Sequence, residues 1–125
     1  MKDDELSTDA VAFLKQLGER GHEPLWAKVS GRARFELMDG RRVDRWLVAV
    51  DNGDVAVAHK GGEADCTIRA ERALWDRLCR GEENAMAAML RGALRCAGDV
   101  ELLYALQRVF PGPPSGSRRT GGGPR

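Results

Sequence analysis

Hydrophobic positions change their spacing several times along this chain, and each change marks an element. Ala10, Phe13, Leu14 and Leu17 recur at the i, i+3, i+4, i+7 interval of one helical face, behind Ser7, Thr8 and Asp9, whose side-chain oxygens suit an N-cap. This predicts a short amphipathic helix that Gly18 or Gly21 ends, with a loop from His22 to Pro24. From Val29 the period drops to two. Val29, Gly31, Ala33, Phe35 and Leu37 alternate with Ser30, Arg32, Arg34 and Glu36, the mark of a strand with one apolar and one solvated face. Asp39-Gly40 closes it. Trp46, Val48 and Val50 continue the alternation, and Asp51-Asn52-Gly53 tolerates positive φ ahead of Val55 and Val57. An antiparallel meander from Val29 to about His59, with one apolar face, follows.

A loop over Lys60-Gly61-Gly62-Glu63 precedes a fourth strand, in which Cys66, Ile68 and Ala70 alternate with Asp65, Thr67 and Arg69. The period then turns helical. Leu74, Trp75, Leu78 and Cys79 form one stripe ended by Gly81, and Asn84 caps a second short helix through Met86, Met89 and Leu90 before Gly92. Leu94 and Cys96 suggest a brief fifth strand broken by Gly98. Asp99 then caps a last helix whose broad apolar face holds Leu102, Leu103, Leu106, Val109 and Phe110. Beyond Pro111 no apolar period survives, so residues 1–110 are expected to form one domain and 111–125 a disordered Pro/Gly/Arg tail.

Charge narrows the function classes. The net charge is +1, yet the tail holds Arg118, Arg119 and Arg125 and no acid, so the expected domain is slightly acidic. Without a basic domain, counterion release contributes little and nucleic acid is not an expected partner. The opening Met-Lys-Asp-Asp-Glu has no apolar segment behind it, and no run reaches membrane-span length, which predicts a cytoplasmic protein. Cys66, Cys79 and Cys96 lie far apart without ligand spacing and read as reduced core thiols. His22 and His59 have no second histidine or carboxylate at ligand or triad spacing, and neither glycine cluster continues into a phosphate loop. No metal, cofactor or catalytic residue is expected. Trp26 reads equally as an entrance residue or as packing, and Arg118 with Arg119 as a plain tail or a contact for anionic headgroups.

The order of elements, with Gly31-Arg32-Ala33-Arg34-Phe35-Glu36-Leu37, Asp39-Gly40, Trp46-Leu47-Val48-Ala49-Val50, Asn52-Gly53, Asp65-Cys66-Thr67-Ile68, Leu78-Cys79-Arg80-Gly81, Met89-Leu90-Arg91-Gly92-Ala93-Leu94 and Ala97-Gly98-Asp99, resembles the sterol carrier protein type 2 family. Each block alone is weak, and their order and spacing from Thr8 to Phe110 carry the likeness. The resemblance implies an α+β fold: a five-stranded, mainly antiparallel sheet, helices packed on one face and an apolar tunnel between the layers. Members bind sterols, fatty acids, acyl-CoA esters or phospholipids, and some prokaryotic relatives serve quinone biosynthesis. The family has no invariant catalytic set. Eukaryotic members often end in a Ser-Lys-Leu type of peroxisomal address, from which the Gly-Pro-Arg end here departs.

Tunnel lining is therefore expected from Phe35, Leu37, Trp46, Val48, Ile68, Trp75, Leu78, Met86, Met89, Leu90, Leu103 and Leu106. Beside it stands the ordinary reading, in which Met86, Met89, Trp46 and Trp75 simply fill a core. Three functions remain: non-catalytic binding and transfer of an apolar lipid-like ligand, with transient membrane or enzyme contact; an accessory module of the same fold for an enzyme of lipid or quinone metabolism; and, on His59 and the thiols alone, an enzyme.

Overall fold

The structure, a computed structural model, describes residues 9–110 of the 125-residue chain. Ser7, Thr8 and the expected tail lie outside the described residues. Helix α1 (Asp9–Arg20) buries Ala10, Val11, Leu14 and Leu17. Its first turn is closed from a distance, since Asp76 Oδ1 accepts the Ala10 N–H at 2.9 Å and Asp9 pairs with Arg80 at 2.8 Å. Gly18 stays helical, and Gly21 leaves with φ +69°. A single 3₁₀ turn (Pro24–Trp26) follows, capped by Glu23. Trp26 lies within the core at 1% exposure, its Nε1 donating to the Ala105 carbonyl at 3.2 Å, so the packing alternative holds for it.

Strands β1 (Ser30–Asp39), β2 (Arg42–Asp51) and β3 (Asp54–Ala58) form the expected meander. Asn52 at φ +50° and Gly53 at +92° make the two-residue turn between β2 and β3, the geometry that matches the twist of paired strands. Strand β4 (Cys66–Glu71) pairs parallel to β1, and the edge strand β5 (Leu94–Gly98) antiparallel to β4. The sheet has five strands in the order β3-β2-β1-β4-β5, one of its four pairings parallel. That parallel pairing forces residues 59–65 to cross β2 and β1, which they do on the sheet's outer face. Arg34 Nη1 donates to the Gly62 carbonyl at 2.8 Å, and a Cβ at Gly61 would lie 3.2 Å from the Arg45 side chain.

Helices α2 (Arg72–Arg80), α3 (Ala85–Leu90) and α4 (Val100–Leu106) complete the chain, with a 3₁₀ turn (Gln107–Val109) after α4. The expected caps are present: Gly81 is left-handed at φ +79°, Asn84 Oδ1 accepts from Ala87 N–H at 3.0 Å, and Asp99 Oδ1 accepts from Glu101 N–H at 3.0 Å. Leu14, Leu17, Trp26, Leu74, Trp75, Leu78, Leu102, Leu103 and Leu106 join the inward strand residues in one core. Among the described residues no helix is long and apolar enough to cross a membrane.

Candidate functional site

Register decides what each face of the sheet presents. Phe35 stands between Trp46 and Ile68, and Ala33 between Val48 and Cys66, so the meander and β4 offer one continuous apolar surface to the helices. Across it the Trp75 ring stacks on Phe35 at 5.0 Å, and Trp75 Nε1 donates to the Glu36 carbonyl at 3.0 Å. Of the expected lining residues, Phe35, Leu37, Trp46, Val48, Ile68, Trp75, Leu78, Leu103 and Leu106 are buried together there.

Helix α3 departs from the expected phase. Met86, Met89 and Leu90 were to form its inner face, but Ala85 and Ala88 do so; Met89 flanks the core, Met86 is half-buried outside it, and Leu90 is 85% exposed. The reason is size: in a helix of six residues lying close to β5, alanines permit the approach and the longer side chains turn away.

Among the described residues, the surface grooves include three that are lined by none of the expected lining residues. One of about 570 Å³ lies between α2 and the ends of β4 and β5, with Leu74, Glu71, Arg77 and Ala93 in its wall. The other two, of about 430 and 450 Å³, lie on the outer sheet face to either side of the crossover, the first around Arg32 and Ala49, the second around Arg34, Thr67 and Arg69.

That outer face corrects a second expectation. Glu36, read as solvated, is 3% exposed. By register it stands directly between Arg45 and Arg69, and its carboxylate meets Arg69 Nη2 at 2.7 Å, Arg45 Nε at 3.2 Å and Arg34 Nε at 3.2 Å. Burial pushes the Glu36 carboxyl up, but the hydrogen bonds and charges of Arg69, Arg45 and Arg34 more than reverse this and hold it below the ordinary range. Alternation places Glu36 outward beside Phe35 and Leu37, yet nothing local to it signals that arginines from two other strands close over it.

Both histidines acquire the carboxylate partners that spacing did not reveal. His22 Nδ1 lies 3.1 Å from Asp54 Oδ1. His59 Nε2 pairs closely with Asp44 Oδ1, while Trp46 Nε1 and Arg72 Nη2 donate to Asp44 Oδ2 at 3.1 and 3.4 Å. The His59 ring stacks on Trp46 at 4.0 Å. Burial raises the Asp44 carboxyl, and these partners outweigh it, so Asp44 titrates below its usual range. His59 Nδ1 makes no hydrogen bond among the described residues, so no nucleophile–histidine–carboxylate chain is assembled there. Burial drives the Cys66 and Cys79 thiols up to about 12 and raises Cys96, the opposite of an activated nucleophile. Among the described residues no set of three or more His, Cys, Asp or Glu side chains could hold a metal ion.

Residues 12–111 match the family model described as the SCP-2 sterol transfer family. Over 98 residues the chain is 32% identical to the sterol carrier protein 2 of Homo sapiens, covering 76% of this chain and 18% of that relative. In three dimensions it is similar to the sterol carrier protein domain 2 of Helicoverpa armigera, with a TM-score of 0.67, 23% identity and coverage of 83% of this chain and 89% of that one. It is also similar to a ubiquinone synthesis protein, UbiJ-SCP2, with a TM-score of 0.59, 17% identity and coverage of 79% and 90%. These structural likenesses bear on the fold, which is the same two-layer arrangement built here from β3-β2-β1-β4-β5 and its helices. With the matched residues spanning every strand and all but the first turn of α1, the chain belongs to the SCP-2 sterol transfer family, a family of lipid binding and transfer.

Proposed function

We propose that this chain binds and transfers an apolar, lipid-like ligand, without catalysing a reaction, by seating it between the inner sheet face and the helices. The observation that carries the reading is family membership joined to one unbroken apolar sheet surface under a thin, alanine-faced helix. Phe35, Leu37, Trp46, Val48 and Ile68 would form the floor, and Trp75, Leu78, Met89, Leu103 and Leu106 the roof. These side chains are buried in one cluster, so a guest would part the layers, and Met89, at the edge of that cluster, is the flexible side chain placed to follow it. A guest that removed about 400 Å² of apolar surface from water would gain about 10 kcal/mol before association costs.

The test is native mass spectrometry of the purified chain, with lipid extraction, and titration with a fatty acid or sterol followed by tryptophan fluorescence. The expected result is one apolar guest per chain and a saturable change in emission. Recovery of no guest, with emission unmoved by every lipid class tried, would overturn the reading. A second reading, an accessory module with no ligand of its own, is favoured by the burial of the expected floor and roof side chains in one cluster and by the likeness to UbiJ-SCP2. Stable co-purification with an enzyme of lipid or quinone metabolism, by a chain that carries no lipid, would support it instead.

A further inference from the structure

The outer face of the sheet carries more positive charge than its one buried acid can balance. Register sets Arg45, Glu36, Arg69 and Arg95 in one row across β2, β1, β4 and β5, and Arg34 adds a further guanidinium from the neighbouring row. Glu36 is the shared anion of Arg34, Arg45 and Arg69. Arg95 makes no ion pair among the described residues, although it stands directly opposite Arg69, where like charges disfavour the sheet.

These groups converge on a concave surface. Arg34, Glu36, Thr67, Arg69, Arg95 and Ala97 line the groove of about 450 Å³. Arg34 is braced there by the crossover's Gly62 carbonyl. Glu36 takes the Nε and Nη2 of Arg69 through a single oxygen, which pins that guanidinium and leaves its Nη1 open, with 48% of the side chain exposed. A half-exposed cationic fork held rigidly in a groove is the arrangement that recognises a tetrahedral oxyanion, because the geometry is set before the ligand arrives.

We propose that this groove is a binding site for a phosphate group, held by Arg69 and Arg95 with Arg34 behind them, on the face of the sheet opposite the apolar layer. Glu36 is its positioning residue: buried and charged, it orders the guanidiniums without neutralising them all. The site does not rest on an interior guest and stands or falls separately from the lipid-binding reading. The phosphate can belong to a soluble phosphoester or to an anionic lipid headgroup, which share this chemistry.

The experiment uses the full chain labelled for amide NMR. Inorganic phosphate is titrated in, with chloride at matched ionic strength as the reference, and the amides of Thr67, Arg69, Arg95 and Ala97 are followed. In parallel, phosphatidylcholine vesicles with and without phosphatidylglycerol are tested for co-sedimentation. Arg95→Gln is expected to weaken the response about ten-fold with thermal unfolding unchanged or slightly raised, and Arg95→Lys, which keeps charge but not the fork, to fall between. Saturable shifts with inorganic phosphate that weaken in R95Q support a site for soluble phosphoesters. Co-sedimentation that requires phosphatidylglycerol and weakens in R95Q supports a headgroup site. No response to either probe, or one that R95Q leaves as it was, overturns the proposal.

Discussion

Replacing Glu36 by Gln keeps the side chain's shape and removes the one negative charge beneath Arg34, Arg45 and Arg69. Breaking a buried ion pair costs about 3–5 kcal/mol when the orphaned charge stays buried. Here the orphaned groups have an exit, since the three arginine side chains are 30%, 46% and 48% exposed and can turn toward water. The expected loss is therefore smaller, about 2 kcal/mol near pH 7, comparable to one or two charge-assisted hydrogen bonds. Urea unfolding at a series of pH values measures it. The arginines hold the folded-state pKa of Glu36 below its unfolded value, so its stabilisation is fully present above the ordinary glutamate range and is lost as pH falls through the folded value. The gap between wild type and E36Q should thus be widest near neutrality, shrink as pH falls below about 4, and close in stronger acid. A gap of the same size at pH 7 and pH 3, or one under about 0.5 kcal/mol throughout, would refute an electrostatic role for Glu36.

Gly98→Ala should be among the most damaging single-methyl additions. Its φ is +100° and a Cβ there would lie 2.3 Å from the Asp65 carbonyl oxygen, so β5 must shift and strain the Asp99 N–H bond to that oxygen and the cap of α4. A loss of about 3 kcal/mol or more in denaturant unfolding is expected. Leu90→Ser should change stability by no more than about 0.5 kcal/mol, while Leu78→Ala, at a position with 0% exposure, should cost about 2–5 kcal/mol in the same assay. Iodoacetamide at neutral pH should alkylate Cys66 and Cys79 slowly in the folded chain and readily in urea, read by mass shift, because burial holds both thiols near 12.

Much of the fold is legible in the sequence because its signals are local. Asn52-Gly53 dictates a turn, Asn84 and Asp99 dictate caps, and the period-two run from Ala33 to Leu37 dictates which side chains face in. What the sequence hides arises from pairing between distant strands. That Glu36 is buried depends on β4 lying parallel to β1, which brings Arg69 beside it, and on a crossover that roofs the same face. That Asp44 holds His59 depends on the chain just past β3 lying beside Trp46, on which the His59 ring stacks, two residues along β2 from Asp44. In α3 the hydrophobic pattern itself misleads: Met86, Met89 and Leu90 have the right spacing for a face, but Ala85 and Ala88 take the inner side, small side chains that let the helix lie close to β5.

The helices over the inner face are held unequally, and this determines where the layers part most easily. Helix α2 is fastened by the Trp75 ring on Phe35 and by the indole hydrogen bond to the Glu36 carbonyl, and α4 buries Leu102, Leu103 and Leu106. Truncating any of these large side chains would cost about 2–5 kcal/mol. Helix α3 buries Ala85 and Ala88 fully, two methyl groups contributing about 1.6 kcal/mol, and Met89 adds a partly buried contact at the edge of the core. Its Asn84 cap travels with it, and its tethers include the Ala93 N–H to Ala88 carbonyl bond and the Arg91–Glu83–Arg77 ion pairs that reach back to α2. Unseating α3 thus costs a few kcal/mol, less than the roughly 10 kcal/mol gross that a buried apolar guest returns. Hydrogen exchange at Ala88 and Met89 should then be faster than at Leu78 in the empty chain and slow when a fatty acid or sterol is added. Exchange that begins in α2 instead, or α3 amides indifferent to a bound guest, would refute α3 as the element that yields.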